Sequence, residues 1–253
     1  VEMEKDGGVA SYPSNKAGAA YGTGYCDAQC PHDMKWINGE ANMIGWNGSA
    51  SDPNVGFGHY GTCCAEIDVW EANKISTQMT MHSCSKPGQY RCEGVECGDN
   101  NGKTPGDPGD RFKGICDKNG CDFNPYREGA TDFFGPGPSH TLDSTKPMTV
   151  VTQFISSDGT DTGDLLEMKR FYMQDGKKIE NPMPQWPNAK NSISDDMCQA
   201  QMTNFSDRFD VFKTAGGMKG AGEAMKRGVV AVLSLWDDHE VGMIWLDATD
   251  PYP

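Results

Sequence analysis

Three carboxylates fall within six residues in the segment Glu66-Ile67-Asp68-Val69-Trp70-Glu71, and the residues between them are apolar. Such a run reads as a packed strand. Side chains alternate faces along a plain strand, which puts Glu66 and Asp68 on one face and Glu71 on the other. One extra residue, a β-bulge near Val69 or Trp70, returns Glu71 to the first face. Three acids then line one concave surface. Crowded carboxylates repel, so one of them keeps its proton near neutral pH. An ionised carboxylate beside a carboxylic acid is a pair that can cleave a glycosidic bond, and a separation of about 5–5.5 Å selects the retaining route through a covalent intermediate. Asp68, between the two, is placed to hydrogen-bond Glu66 and tune its charge. On spacing alone, a solvent-facing acidic strand or a calcium site is as good a reading. Calcium loops, however, carry Gly and Asn among their acids, where this segment carries Ile, Val and Trp.

The elements that must position these acids are strands and long loops. GTCCAEIDVWEAN over 61–73 is the strand that carries them. Residues 10–60 are turn-rich, with short apolar runs such as Met34-Lys35-Trp36-Ile37. Residues 85–140 are almost all Gly, Asp, Asn and Pro-rich loop; so long a loop in a compact domain is uncommon and usually functional. A β-branched run at Met148–Ile155 and a hairpin follow: Leu165–Met173, a turn at Gln174-Asp175-Gly176, then Lys177–Ile179. Residues 217–227 read as a short helix that Gly228 stops. Val229–Trp236 (VVAVLSLW) has the pattern of a buried strand and Met243–Leu246 that of another. Many strands, long loops and little helix predict an all-β sandwich with loops built over one face.

Composition narrows the ligands. The 253 residues carry 22 Lys and Arg against 36 Asp and Glu, a formal net charge of −14. Nucleic acids and anionic membranes are bound by clustered cations, so neither is an expected partner. A neutral polymer such as a polysaccharide fits, although acidity also serves solubility. No apolar run is long enough to span a bilayer. Ten cysteines crowd mainly into one stretch, and disulfides, a metal site and reduced core thiols compete to explain them. The spacings C-x3-C, CC and C-x4-C lack the repeated pairs of a zinc site, and Gly, Asp and Asn surround most of them. Disulfides, and with them an oxidising compartment, are the reading that fits. Asn47-Gly-Ser and Asn204-Phe-Ser are glycosylation acceptor patterns that agree.

The strand GTCCAEIDVWEAN resembles the signature strand of glycoside hydrolase family 7, the cellobiohydrolases and endoglucanases. YGTGYCDAQCP (21–31), INGEAN (37–42), GCDFNPYREG (120–129), FFGPG (133–137), TVVTQF (149–154) and LSLWDD (233–238) also resemble family segments, in the family's order. The resemblance implies a concanavalin-like jelly-roll β-sandwich with disulfide-braced loops over a substrate tunnel. Glu66 would be the nucleophile, Asp68 its helper and Glu71 the acid/base. Asp27 and Gln29 would line the site around the cleaved bond, His82 would lie near the acid/base, Arg111 and Arg127 would hold the product side, and Trp236 and Trp245 would be sugar-stacking platforms there. Trp245 as plain core and Arg111 in a surface ion pair are the plain alternatives. The family pattern also implies the pairs Cys26–Cys64, Cys30–Cys63, Cys84–Cys116, Cys92–Cys97 and Cys121–Cys198. Asn119 departs from the family, standing where a product-side aspartate is often found.

The expected protein is therefore a secreted, monomeric hydrolase of cellulose and cello-oligosaccharides that needs no cofactor and no metal. Residues 1–253 are read as a single catalytic domain truncated at both ends, because VEMEKDGG and DATDPYP look like internal sequence. The length of the Cys84–Cys121 segment, with its Gly/Asp/Asn-rich stretch at 98–110, favours a roofed site and exo action with release of cellobiose. An open-cleft endoglucanase is the first alternative. A non-catalytic lectin-like carbohydrate-binding protein is the second, weakened by the presence of all three acids.

Overall fold

The structure, a computed structural model, describes residues 25–248 apart from 39, 105, 239 and 240. The first four residues of the YGTGYCDAQCP segment lie outside the described residues. The chain divides into two compact units. One comprises Val1–Glu66, His82–Gly120 and Val211–Val232; the other comprises Ile67–Met81, Cys121–Asp210 and Leu233–Pro253. Strands predominate among the described elements and helices are few.

The first unit is built from short ribbons. Gly61–Cys63 pairs antiparallel with Tyr90–Cys92, and two smaller hairpins join Trp36–Ile37 to Glu40–Ala41 and Asn47–Gly48 to Gly56–Phe57. Strands of two or three residues bury too little side chain to stand alone. Sulfur supplies the difference. Buried Cys30, Cys63, Cys92, Cys97 and Cys116 pack with Ala28 and Ile115 as the core of this region. Four disulfides lie here, Cys26–Cys64, Cys30–Cys63, Cys84–Cys116 and Cys92–Cys97. The backbone comes close enough that a Cβ on Gly61 would lie 2.5 Å from the Cys30 carbonyl oxygen, so glycine is required there. The expected helix forms over Gly217–Arg227, burying Met218, Ala221 and Ala224 on one face, with Gly228 at its C-terminus. Ser83 donates from Oγ to the Gly217 carbonyl at 2.7 Å, anchoring the start of that helix.

The second unit contains the longer strands. Thr149–Ser156 pairs antiparallel with Leu165–Gln174, which pairs in turn with Lys177–Glu180 and Ser192–Ile193. The hairpin turn is the two residues Asp175 and Gly176, both with positive φ (49° and 74°), the geometry that matches the twist of the flanking strands. Met168, Arg170, Tyr172 and Gln174 alternate into the interior, and Tyr172 packs with Phe133, Phe134 and Leu142. A second sheet orders Glu66–Ala72, Thr77–His82 and Cys121–Phe123 side by side. Thr77–His82 is buried along its whole length, as expected of a strand with neighbours on both edges. Cys121 is tied to Cys198 on the helix Asp195–Phe205. That helix begins at Ser194, whose hydroxyl accepts from Met197 N–H, with Asp195 and Asp196 in its first turn. All five expected cysteine pairs are present and none of the ten is free.

Two expectations fail. Residues 229–236 are not a buried strand: they have no strand partner among the described residues, and Leu233 is 96% exposed. An apolar run states that a segment has covering neighbours to seek, and none of the described strands supplies them. Met243–Leu246 is not a strand either, since Ile244–Asp247 is a short helix. Asp238 explains the turn, because its carboxylate accepts from Val241 N–H, Met243 N–H and the Trp245 indole. Short apolar runs do not distinguish strand from helix by period, and this side-chain anchor decided the matter.

Candidate active site

In the first unit the site residues gather on the turn Cys26–Cys30. Asp27 accepts from the Tyr25 hydroxyl at 2.7 Å and from its own turn's Gln29 N–H at 2.8 Å. Burial pushes the Asp27 carboxyl up, and the two hydrogen bonds and nearby His82 hold part of that shift back. The Ala28 N–H points at Glu66 and donates to its Oε2 at 3.1 Å. Gln29 donates from its amide to the Lys118 carbonyl at 2.9 Å. His82 is buried, and its Nδ1 meets the Asp117 carbonyl at 2.8 Å. A carbonyl only accepts, so Nδ1 carries the hydrogen in that contact. Asp117 is itself raised by burial. Arg111 donates two N–H groups to the Asn119 amide oxygen, at 3.0 and 2.8 Å. Asn119 thus orients Arg111 as a carboxylate would, without neutralising it. Burial brings the Lys118 ammonium down to about 8, against the attraction of Asp99 and Asp27.

Ligating atoms of Glu66 and His82 lie within 4.8 Å of one another, as suits a carboxylate beside a histidine in a reacting site as well as a metal. The cysteine clusters are different. Cys30, Cys63, Cys92 and Cys97 are all consumed by disulfides, and a disulfide sulfur is not a thiolate ligand.

In the second unit Glu71 is held by a polar ladder. Its Oε2 accepts from Thr80 Oγ1 at 2.8 Å and from Gln78 Nε2 at 3.2 Å. Gln78 and Thr80 alternate with buried Met79 on the neighbouring strand, so they share one face of it. Behind them, Asn124 donates to Gln78 Oε1 at 3.1 Å and to the Leu246 carbonyl at 2.8 Å. Trp70, one residue before Glu71, turns instead to Phe134 and Tyr172, with the Arg170 guanidinium 5.4 Å from its ring. Asp68 sits half-buried on the same strand. Sequence reasoning missed Gln78, Thr80 and Asn124; the polar alternation in QMTMH over 78–82 was the available signal.

Arg127 pairs with Asp122 at 2.8 Å and stacks over Phe205. Trp236 and Trp245 stack on each other, with ring centroids 5.7 Å apart and planes 13° from parallel. Each therefore spends one face on its twin, and Trp236, 51% exposed, presents the other outward.

Beside Arg127, Glu128 presents a buried titratable carboxyl. Its Oε2 is enclosed without a hydrogen-bond partner among the described residues, and Oε1 meets Gln201 Nε2 at 3.5 Å. Burial, reinforced by Asp122, raises its pKa well above the ordinary value. The folded state therefore holds a proton that the unfolded chain releases, so stability falls as pH rises through the ordinary glutamate range and on toward the raised value. Glu128→Gln removes this dependence. The melting temperature of the variant should decline less than that of the parent between pH 4 and 7, and parallel declines in thermal melts would contradict the assignment.

Within the first unit Glu66 lies beside His82 and against the disulfide-braced turn Cys26–Cys30, and within the second Glu71 is held by Thr80 and Gln78. The whole sequence, residues 1–253, matches the family model described as Glycosyl hydrolase family 7, and the chain belongs to that family. A family 7 cellobiohydrolase from Daphnia pulex is 56% identical, with a TM-score of 0.86 over 95% of this chain and 53% of that one. A cellobiohydrolase from Melanocarpus albomyces, complexed with cellotetraose, is 44% identical, with a TM-score of 0.77 over 94% and 52%. An endoglucanase I complexed with cellobiose is 39% identical, with a TM-score of 0.73 over 95% and 52%. The chain thus spans about half the length of the solved structures it resembles. These matches carry the all-β jelly-roll class read from the sequence.

Proposed function

We propose that this chain forms part of a secreted enzyme that hydrolyses the β-1,4-glucosidic bonds of cellulose with retention of configuration, acting from a chain end and releasing cellobiose. Membership of family 7 is the observation that carries the reading. The neighbours complexed with cellobiose and cellotetraose support cello-oligosaccharides as ligands. Five disulfides, together with exposed Asn47 and Asn204, support an extracellular setting. No helix among the described residues is long and apolar enough to cross a membrane.

In the first step the Glu66 carboxylate attacks the anomeric carbon, the bond to the leaving oxygen breaks, and Glu71 gives that oxygen its proton. In the second, water attacks the same carbon, loses a proton to Glu71, and Glu66 departs as carboxylate. In this reading Asp68 tunes Glu66, and His82 serves near the acid/base. The reading requires a bulge between Asp68 and Glu71 that turns both toward one face. Asp27 and Gln29 shape the site around the cleaved bond, Arg111 and Arg127 bind sugar hydroxyls on the product side, and the outer face of Trp236 stacks a sugar ring. The 98–110 segment roofs a tunnel over the chain.

One experiment tests these points together. Hydrolysis of a soluble cello-oligosaccharide series followed by proton NMR should give cellobiose from the first time points, released as the β-anomer. An initial α-anomer would refute retention. Random internal cutting, with a rapid viscosity drop on carboxymethylated cellulose, would replace exo with endo action; the endoglucanase neighbour keeps that reading as the alternative.

A further inference from the structure

We infer that the turn Cys26–Cys30 is a positioning device for the nucleophile: a doubly stapled loop whose Ala28 backbone N–H fixes the Glu66 carboxylate. The inference rests on Glu66 being the nucleophile. The Ala28 N–H donates to Glu66 Oε2 at 3.1 Å across 38 residues of sequence. A backbone donor has no rotamer and no charge to lose, so its aim depends only on the turn that carries it. That turn is unusually constrained. Cys26 and Cys30, at its two ends, are bonded to the adjacent Cys64 and Cys63, two and three residues before Glu66. Between the staples the Asp27 carbonyl accepts from Cys30 N–H at 3.3 Å and Cys64 N–H at 3.0 Å, and Asp27 pairs with Cys63 in a parallel bridge.

Further constraints surround the same turn. Cys30 itself sits in left-handed backbone, φ 53°, which a non-glycine residue holds only when its surroundings impose it. Upstream, the Tyr25 carbonyl is fixed by Thr62 Oγ1 at 2.9 Å and Gln89 Nε2 at 3.1 Å. Ala28 has no exposed surface, and its side chain packs among the half-cystines while its N–H faces the acid. The arrangement makes the donor insensitive to side-chain identity and sensitive to the loss of the N–H or of the staples. Covalent catalysis depends on holding the attacking atom within a fraction of an ångström of its working position.

The test uses the full chain and an aryl β-cellobioside, which reports kcat and KM separately. Ala28→Pro deletes the N–H and should lower kcat on the order of 10–100-fold, as misplacement of a reacting group does, while KM stays within about twofold. Ala28→Gly keeps the N–H and should restore kcat to within about threefold of the parent. Because proline can disturb the turn, the pair Cys26→Ala with Cys64→Ala is compared with Cys121→Ala with Cys198→Ala, both checked for folding by circular dichroism. Only the first pair should lower kcat at unchanged KM. Retained kcat in Ala28→Pro, or equal losses in the two cysteine pairs, overturns the inference while Glu66→Gln stays inactive. An active Glu66→Gln would instead remove the reading on which it rests.

Discussion

Glu66→Gln and Glu71→Gln should each abolish most turnover on cello-oligosaccharides while leaving the melting temperature almost unchanged. The expected loss is on the order of 10²–10⁴-fold, the range for a positioned proton-transfer group. Glu66→Gln should fall at or beyond the upper end, because it removes the covalent route. The two variants should differ on an activated substrate. A dinitrophenyl leaving group departs without protonation, so Glu71→Gln should still release it in the first step and then stall. Glu66→Gln should release none. Asp68→Asn should be milder than either, since Asp68 tunes and does not react. Near-parental turnover in either folded glutamine variant, measured by steady-state kinetics, would remove that residue from its role. The ladder Thr80–Gln78–Asn124 behind Glu71 explains why its substitution is expected to leave the fold intact: the partners are bonded to one another as well as to the acid.

Reduction should loosen the first unit before the second. Four of the five disulfides lie in it, and their sulfurs form much of its local core. Three close loops with sequence separations of 32–38 residues, for which chain entropy alone gives roughly 3–4 kcal/mol each. The paired strands Gly61–Cys63 and Tyr90–Cys92 that those bridges brace are three residues long. The sheet Thr149–Ser156, Leu165–Gln174 and Lys177–Glu180 instead rests on long ladders and the Tyr172 cluster. Hydrogen exchange followed by mass spectrometry under graded dithiothreitol should show amides of 25–66 and 82–120 exchanging before those of 149–180. Simultaneous loss of protection would contradict the division, and ten free thiols in the unreduced protein would contradict the extracellular setting.

Local pattern and family motif made much of this legible. The Asp175-Gly176 hairpin follows from turn chemistry, and the helix Gly217–Arg227 from its apolar spacing and the glycine that ends it. The strand Glu66–Ala72 follows from β-branched and aromatic residues between its acids. The cysteine pairs came from family resemblance, because spacing cannot choose among connectivities. What escaped depends on contacts distant in sequence. Gln78 and Thr80 look like ordinary strand residues until Glu71 is seen against them. Asn124 reads as a turn residue before proline, yet joins Ser76 and Gln78 to the Leu246 carbonyl. The stacking of Trp236 on Trp245 is a pairing that their sequence positions do not reveal. VVAVLSLW at 229–236 has a buried strand's composition, but composition cannot reveal which neighbours will cover it.

The central claim is that Glu66 forms the covalent bond to the sugar. Its most direct measurement is trapping with a 2-deoxy-2-fluoro-cellobioside that carries a good leaving group, followed by peptide mass mapping. The account predicts one added cellobiosyl unit, on the peptide containing Glu66 and at that residue. A label on Asp68 or Glu71, with Glu66 unmodified, would contradict it.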